Sequence, residues 1–201
     1  MGLFGASRKE SWESFAKEMN GEVIKLGKLK GDGVLVPYKT FEILLDTYTV
    51  STGNAAITYT RLRTTFINPR AIDFKIYHKS FFSQFGKMLG MQDIEIGDMA
   101  FDHDFIIKGN ATGEIVKLFN RSRIKQHILA EPKLTLQIKH KNEWLQKPLK
   151  ENESIIEYQS VGVIKDNPRL INLCELFKDI LDALVEDEIA NPEKSTTSLY
   201  D

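Results

Sequence analysis

The sequence predicts an α+β fold: antiparallel β-sheet, in one sheet or more, with helices packed on the faces and a long C-terminal helix. Three observations point there. Five runs between residues 22 and 78 alternate apolar and polar side chains, the period of half-buried strands. Turn residues rather than helices join those runs, which is how antiparallel neighbours connect. From Pro168 to about Glu186, Leu170, Leu173, Cys174, Phe177, Ile180, Leu181 and Leu184 then form the strongest helical stripe in the chain.

The elements follow in order. Trp12, Phe15, Ala16 and Met19 fall at i, i+3, i+4 and i+7 within Arg8 to Asn20, an amphipathic helix closed by Asn20-Gly21, since both tolerate a left-handed backbone. Strands are expected at Glu22 to Leu29, Val34 to Tyr38 and Phe41 to Val50, punctuated by Gly31-Asp32-Gly33 and then Gly53-Asn54. Ala56 to Phe66 and Ala71 to His78 extend the meander around Asn68-Pro69, because proline fixes φ and cannot donate into a ladder. Phe81, Phe82, Phe85, Met88 and Leu89 recur at helical spacing behind Ser80 as N-cap, with Gly90 as the stop.

The second half is organised differently. Phe101, His103, Phe105 and Ile107 alternate with Asp102, Asp104, Ile106 and Lys108, which predicts a strand that Gly109-Asn110 breaks. Thr112 is placed to cap a helix reaching Asn120, with Ile115, Val116 and Phe119 inward. Arg121 to Leu129 forms another, with Ile124, Ile128 and Leu129 inward, and Pro132 ends the pair. Strands near Lys133 to Lys139, Glu143 to Leu149 and Ser154 to Ile164 precede the last helix, for which Asn167 is the expected N-cap and Pro168 the pre-set first position. Residues 191–201, NPEKSTTSLYD, have little to bury and read as a flexible tail. The division is therefore an N-terminal α+β subdomain over 1–95 and a C-terminal one over 96–190, in one compact unit if a single sheet runs through both.

Composition narrows the classes of function. In 201 residues, 42% hydrophobic content is ample for a core, and 27 Lys+Arg against 28 Asp+Glu leaves no global positive field to gather nucleic acid. Nucleic acid is thus not an expected partner. One cysteine, Cys174, excludes an intrachain disulfide and suits a reducing interior, so a cytoplasmic location is expected. No apolar run is long enough to span a bilayer. Cys174 sits on the apolar stripe of the last helix, where a thiol acts as a small hydrophobe and its pKa rises.

Asp102, His103 and Asp104 form the densest group of ligand-type side chains, yet on a strand the carboxylates face one way and the imidazole the other. They are a candidate polar site, with His103 expected at the edge of the core. Arg61 and Arg63 share one strand face beside Tyr59 and could grip a phosphate or carboxylate, although a solvated face is the commoner fate of such a pair. Arg121, Arg123 and Lys125 form a second basic run without the interleaved aromatics that base stacking requires. These five cations are the candidate anion or partner contacts. No catalytic, cofactor-binding or metal-ligating residue is assigned and no cofactor is expected, because nucleophile elbow, zinc-protease and phosphate-loop spacings do not occur.

Gly97, Asp98, Phe101, Asp102 and Phe105 match a G-D-x-x-F-D-x-x-F opening, followed by helix, helix, short strands and a last apolar helix. In this the C-terminal half resembles bacterial proteins built on a domain of unknown function. The resemblance implies an uncharacterised bacterial cytosolic protein and carries no catalytic residues. The order of elements also resembles a helix-grip fold, whose sheet curls around its last helix to leave an apolar pocket. The leading expectation is a non-enzymatic binding or protein-interaction module, acting on a protein partner or a second copy of itself. The alternative is a carrier of an apolar small molecule between sheet and C-terminal helix.

Overall fold

The computed structural model of the chain describes residues 7–27, 31–53, 55–81, 92–131, 133–140 and 148–200. The expected helix through Phe82, Phe85, Met88 and Leu89, and most of the expected strand Glu143 to Leu149, fall outside those residues. Among the described residues nine strands form one sheet, antiparallel at every pairing: β1 (Glu22–Lys25), β2 (Asp32–Tyr38), β3 (Phe41–Thr52), β4 (Ala55–Ile67), β5 (Phe74–His78), β6 (Gln92–Ile94), β7 (Phe105–Gly109), β8 (Thr135–Lys139) and β9 (Glu153–Val161). Their spatial order is β1-β2-β3-β4-β9-β8-β5-β7-β6. β5 thus lies between β8 and β7, so strands from both halves of the sequence interleave in one ladder.

The helices are α1 (Arg8–Glu18), α2 (Met99–Asp104), α3 (Thr112–Phe119), α4 (Ser122–Leu129) and α5 (Asn167–Glu186). Their buried side chains join one cluster with Val36, Ile43, Leu45, Leu62, Phe66, Ile76, Ile138 and Tyr158, all on the same face of the sheet. This is the main core. Every residue of the predicted α5 stripe is buried there, from Leu170 to Leu184, and burying each Leu, Ile or Phe stabilises the fold by roughly 1.5–3 kcal/mol before entropy is counted. Burial also pushes the Cys174 thiol up to about 12. Arg169 fastens the start of α5 by donating from Nε and Nη2 to the fully buried carboxylate of Glu131, at 2.8 and 2.6 Å.

Five local expectations are corrected. Residues 101–104 are helical, because Asp98 accepts from the Phe101 N–H at 3.2 Å and starts a turn that ends only at Phe105. The α3 N-cap is Ala111, without a side-chain bond, rather than Thr112; the α5 N-cap is Asp166, one residue before Asn167, accepting from the Arg169 N–H. Leu129 is 50% exposed, since the inward face of α4 is completed by Ile124 and Ile128. Residues 191–200 are tied down rather than frayed: Asn191 bridges Ile67, and Ser195, Thr196 and Thr197 all donate to the carboxylate of Glu153. Polar side chains give this segment the anchors that its few apolar residues cannot.

The tail lies on the second face of the sheet. There Leu199 joins a small apolar cluster with Leu26, Leu35, Leu44 and Ile155, and Lys194 and Tyr200 reach Glu42. Beyond that cluster the second face becomes polar.

Candidate functional site

Alternation along each strand sends every second residue of β4, β9, β8, β5 and β7 to the second face, and antiparallel register lines them up across strands. Arg63 pairs with Glu157, Glu157 with Gln137, Gln137 with Lys75, Lys75 with Lys108, and Lys108 with Asp93. One row of polar side chains therefore crosses six strands. A parallel row holds Asp46, Arg61 and Gln159, and the next one Tyr48, Tyr59 and Val161.

The middle of these rows is buried. Asp46 is 2% exposed, Arg63 and Glu157 4% each, Arg61 7% and Lys75 9%. Charges so placed must be paired, because desolvation is costly for each. Arg61 grips Asp46 with Nε on Oδ1 at 3.0 Å and Nη2 on Oδ2 at 2.7 Å, and Arg63 Nη2 reaches the same Oδ2 at 2.6 Å. One carboxylate thus serves two guanidiniums. Glu157 Oε1 accepts from Gln137 Nε2 at 3.0 Å and from Lys139 Nζ at 2.8 Å.

Arg61, Arg63, Lys75 and Lys139 share this face with the carboxylates of Asp46 and Glu157. Burial, and then the neighbouring Lys139 charge, bring the Lys75 ammonium down to about 8, against which Glu157 is the weaker opposing influence. Burial likewise lowers the pKa of Arg63. Among the described residues, Arg63 Nε and Glu157 Oε2 are buried with no hydrogen-bond partner. At the row's outer end Arg61 lies over the Tyr48 ring, 4.2 Å from its centroid, and Tyr48 stacks on Tyr59 at 5.0 Å. Val161, beside Tyr59 in register, is 64% exposed.

Arg61 and Arg63 are therefore not on a solvated face, the fate their sequence context favoured. The carboxylate that draws them inward stands on the adjacent strand, 15 and 17 residues away in sequence. The second basic run is spent differently: Arg121 binds Glu186 and Asp187, Arg123 lies 3.2 Å from Asp179, and Lys125 binds Asp98 at 2.7 Å. These pairs dock α4 against α5 and α2. Asp102, His103 and Asp104 do not converge either. Asp102 accepts from the Ile96 and Gly97 N–H groups, while His103 points to solvent, 84% exposed, with Asp104 Oδ1 at 2.8 Å. The expectation of a core-edge histidine fails because a helical turn swings that side chain outward.

Sequence spacing gave no hint of one other group. Ser154 Oγ lies 2.7 Å from His140 Nδ1, and His140 Nε2 lies 3.1 Å from Asp73 Oδ1, beside a pocket of about 310 Å³ lined by Asn68, Ala71, Lys150, Asn152 and others. Ala71 and Asn152 both hold left-handed backbone at its rim. The order Ser-His-Asp is that of a nucleophile and its base. The geometry is not: Ser154 is fully buried and also accepts from Asn68 Nδ2, and the Asp73 contact lacks hydrogen-bond alignment. The group pins the β4–β5 turn to β9, with Asn68 bonded to Ile72, Ser154 and Asn152. Burial raises the Asp73 carboxyl, and the His140 ring partly offsets it.

Among the described residues no group of three or more His, Cys, Asp or Glu could hold a metal ion, and no helix is long and apolar enough to cross a membrane. Comparisons with protein-family models, curated proteins and solved structures find no match to this chain.

Proposed function

We propose that the chain is a non-enzymatic binding or protein-interaction module that meets its partner through the second face of the sheet. The observation that carries this reading is in the polar rows, where the buried Arg63 Nε and Glu157 Oε2 are without a hydrogen-bond partner among the described residues. The described helices all contribute to the core on the other face, so this arrangement is not needed to hold them. A buried donor and acceptor left unpaired destabilise a free protein, and a partner that supplies the missing groups relieves that cost. The stacked Tyr48 and Tyr59 and exposed Val161 border it, and aromatic residues next to arginine are the composition that interfaces favour. A reducing compartment such as the cytoplasm suits the single thiol.

The alternative, a carrier with an apolar ligand between sheet and α5, has less behind it. Leu170, Leu173, Phe177, Ile180, Leu181 and Leu184 pack there in one cluster with Leu62, Phe66 and Tyr158. Native mass spectrometry of the full chain separates the readings. A module gives the mass of an oligomer or protein complex that Val161→Glu diminishes; a carrier gives the monomer plus a lipid-sized mass. A bare monomer for the wild type, unchanged by the substitution, would overturn the module.

A further inference from the structure

Resting on the binding-module reading, we propose that the second face carries a groove for an extended peptide segment of a partner, and that residues 191–200 fill it in the partner's place. The segment it takes has a basic residue, then a run of hydroxyl side chains, then a leucine-sized apolar one. Glu153 shows what the groove is built for. This carboxylate stands at the start of β9, 4% exposed beneath the segment, and from the rest of the fold it accepts from the Lys150 N–H at 3.2 Å. The segment itself brings Ser195 Oγ at 2.9 Å, the Thr196 N–H at 2.8 Å, Thr196 Oγ1 at 3.0 Å, and Thr197 Oγ1. A carboxylate so placed would be costly to bury without those donors.

Glu42 and a small apolar seat complete the recognition. Glu42, on β3, accepts from Lys194 Nζ at 2.8 Å, so the groove offers two carboxylates to a segment that brings a cation and hydroxyl donors. Leu199 fills the seat made by Leu26, Leu35, Leu44 and Ile155, on the opposite side of the sheet from the main core. Left open, that seat would be an apolar patch on an otherwise polar face. It also adjoins the polar rows, since Leu44 pairs with Arg63 and Arg63 with Glu157. Main-chain contacts add little: Asn191 bridges Ile67, and the Thr197 carbonyl accepts from Thr65 Oγ1 at 3.0 Å. The segment is thus held by side chains that a second segment can reproduce, and it leaves without opening the sheet.

The test is the binding of a fluorescent peptide, NPEKSTTSLYD, to the full chain, read by anisotropy against a scrambled peptide of the same composition. In the wild type the tethered segment competes at high effective concentration, so the peptide is expected to bind weakly. Lys194→Ala combined with Leu199→Ala loosens the tethered copy and should raise affinity for the peptide by about tenfold or more, because a larger fraction of the grooves stands open. Adding Glu153→Gln, or the more exposed Glu42→Gln as a second variant, should cancel that gain. Substitutions in the segment thus tighten binding and substitutions in the groove weaken it, a pair of signs that a merely structural tail does not give. In native mass spectrometry, a wild-type oligomer that excess peptide dissolves makes a second copy the source of the segment; a complex with another protein that it dissolves makes that protein the source. No binding by the loosened chain, equal binding of the scrambled peptide, or a gain that survives both carboxylate substitutions overturns the groove. The mass-spectrometric complex and its sensitivity to Val161→Glu are unaffected by that failure, so the module and the groove fall separately.

Discussion

Two regions crowd charged residues together, and they use them in opposite ways. In Ile96–Phe105 the carboxylates of Asp98 and Asp102 are each held by two donors. Gly97 takes φ +81°, which a side chain would resist, and so lets its own N–H and that of Ile96 turn onto Asp102. Asp98 caps α2 with one oxygen and binds Lys125 with the other, while Phe101 and Phe105, 4.9 Å apart, enter the core toward Phe119. The G-D-x-x-F-D-x-x-F pattern is thereby a folding device: glycine for the turn, aspartates for backbone donors, phenylalanines for the core. In the rows on the second sheet face the opposite holds, with the Arg63 Nε donor and the Glu157 Oε2 acceptor left over among the described residues. Density of polar residues in sequence marks neither kind of region; incomplete pairing in space distinguishes them.

The strongest way to break this contrast is to remove one carboxylate from each region. Asp46→Asn leaves Arg61 and Arg63 buried around a neutral group and is expected to cost about 3–5 kcal/mol in chemical denaturation, as breaking a buried pair does. Asp102→Asn keeps one acceptor for its two backbone donors and should cost only about 1–2 kcal/mol. Equal losses would mean that the row on the second face is as fully settled as the loop. The same logic gives Lys75 a pH signature. Its folded pKa, about 8, lies below its ordinary value of 10.5, so the unfolded chain binds the extra proton between them. Stability of the wild type relative to Lys75→Met should therefore rise as pH climbs through that window, and the penalty of the buried charge is fully present below it.

How much of this was legible beforehand depends on distance along the chain. Period and punctuation place α1, β2 to β5, β8, β9 and the whole buried stripe of α5, because each is set by residues within a turn or two. The error at Phe101–Asp104 shows the limit of that signal. Phe101 and Phe105, four apart, share a face in a strand and in a helix alike, so only the cap bond from Asp98 to Phe101 decides between them. The candidate site was half legible. Arg61 and Arg63 stand out as a pair two residues apart, but Asp46, Glu157, Lys75 and Lys139 reach them through strand order, and β9 beside β4 is a pairing of residues about 90 positions apart. No local pattern encodes it.

The tail tests a smaller version of the same idea, since its anchor is also a buried carboxylate. Burial alone would raise Glu153, yet hydrogen bonds from Thr197, the Thr196 N–H, Ser195 and the Lys150 N–H bring it down to about 2. A carboxylate whose folded pKa is depressed stabilises above its ordinary value of 4.5 and loses that contribution as pH falls toward 2. Glu153→Gln is expected to cost about 1–3 kcal/mol at pH 7 and to raise amide exchange in residues 191–200, with the difference from wild type closing in acid. Unchanged exchange would show that Leu199 and the Asn191 bridge to Ile67 hold the segment without the carboxylate.

The smallest expected effect falls on the residue that stands out most in the sequence. His103, flanked by two aspartates and set between two phenylalanines, reads as a buried or ligating group, and a neutral buried imidazole would make folding weaken in mild acid. In the fold its ring is 84% exposed and its one charged neighbour, Asp104, is half exposed as well. Water solvates both, so the pair is worth little to either state of the chain. His103→Gln should therefore shift the unfolding free energy by less than about 0.5 kcal/mol, read by chemical denaturation. A larger loss would place the ring back in the core, and with it the reading of 101–104 as a strand, the backbone that turns His103 to the same side as Phe101 and Phe105.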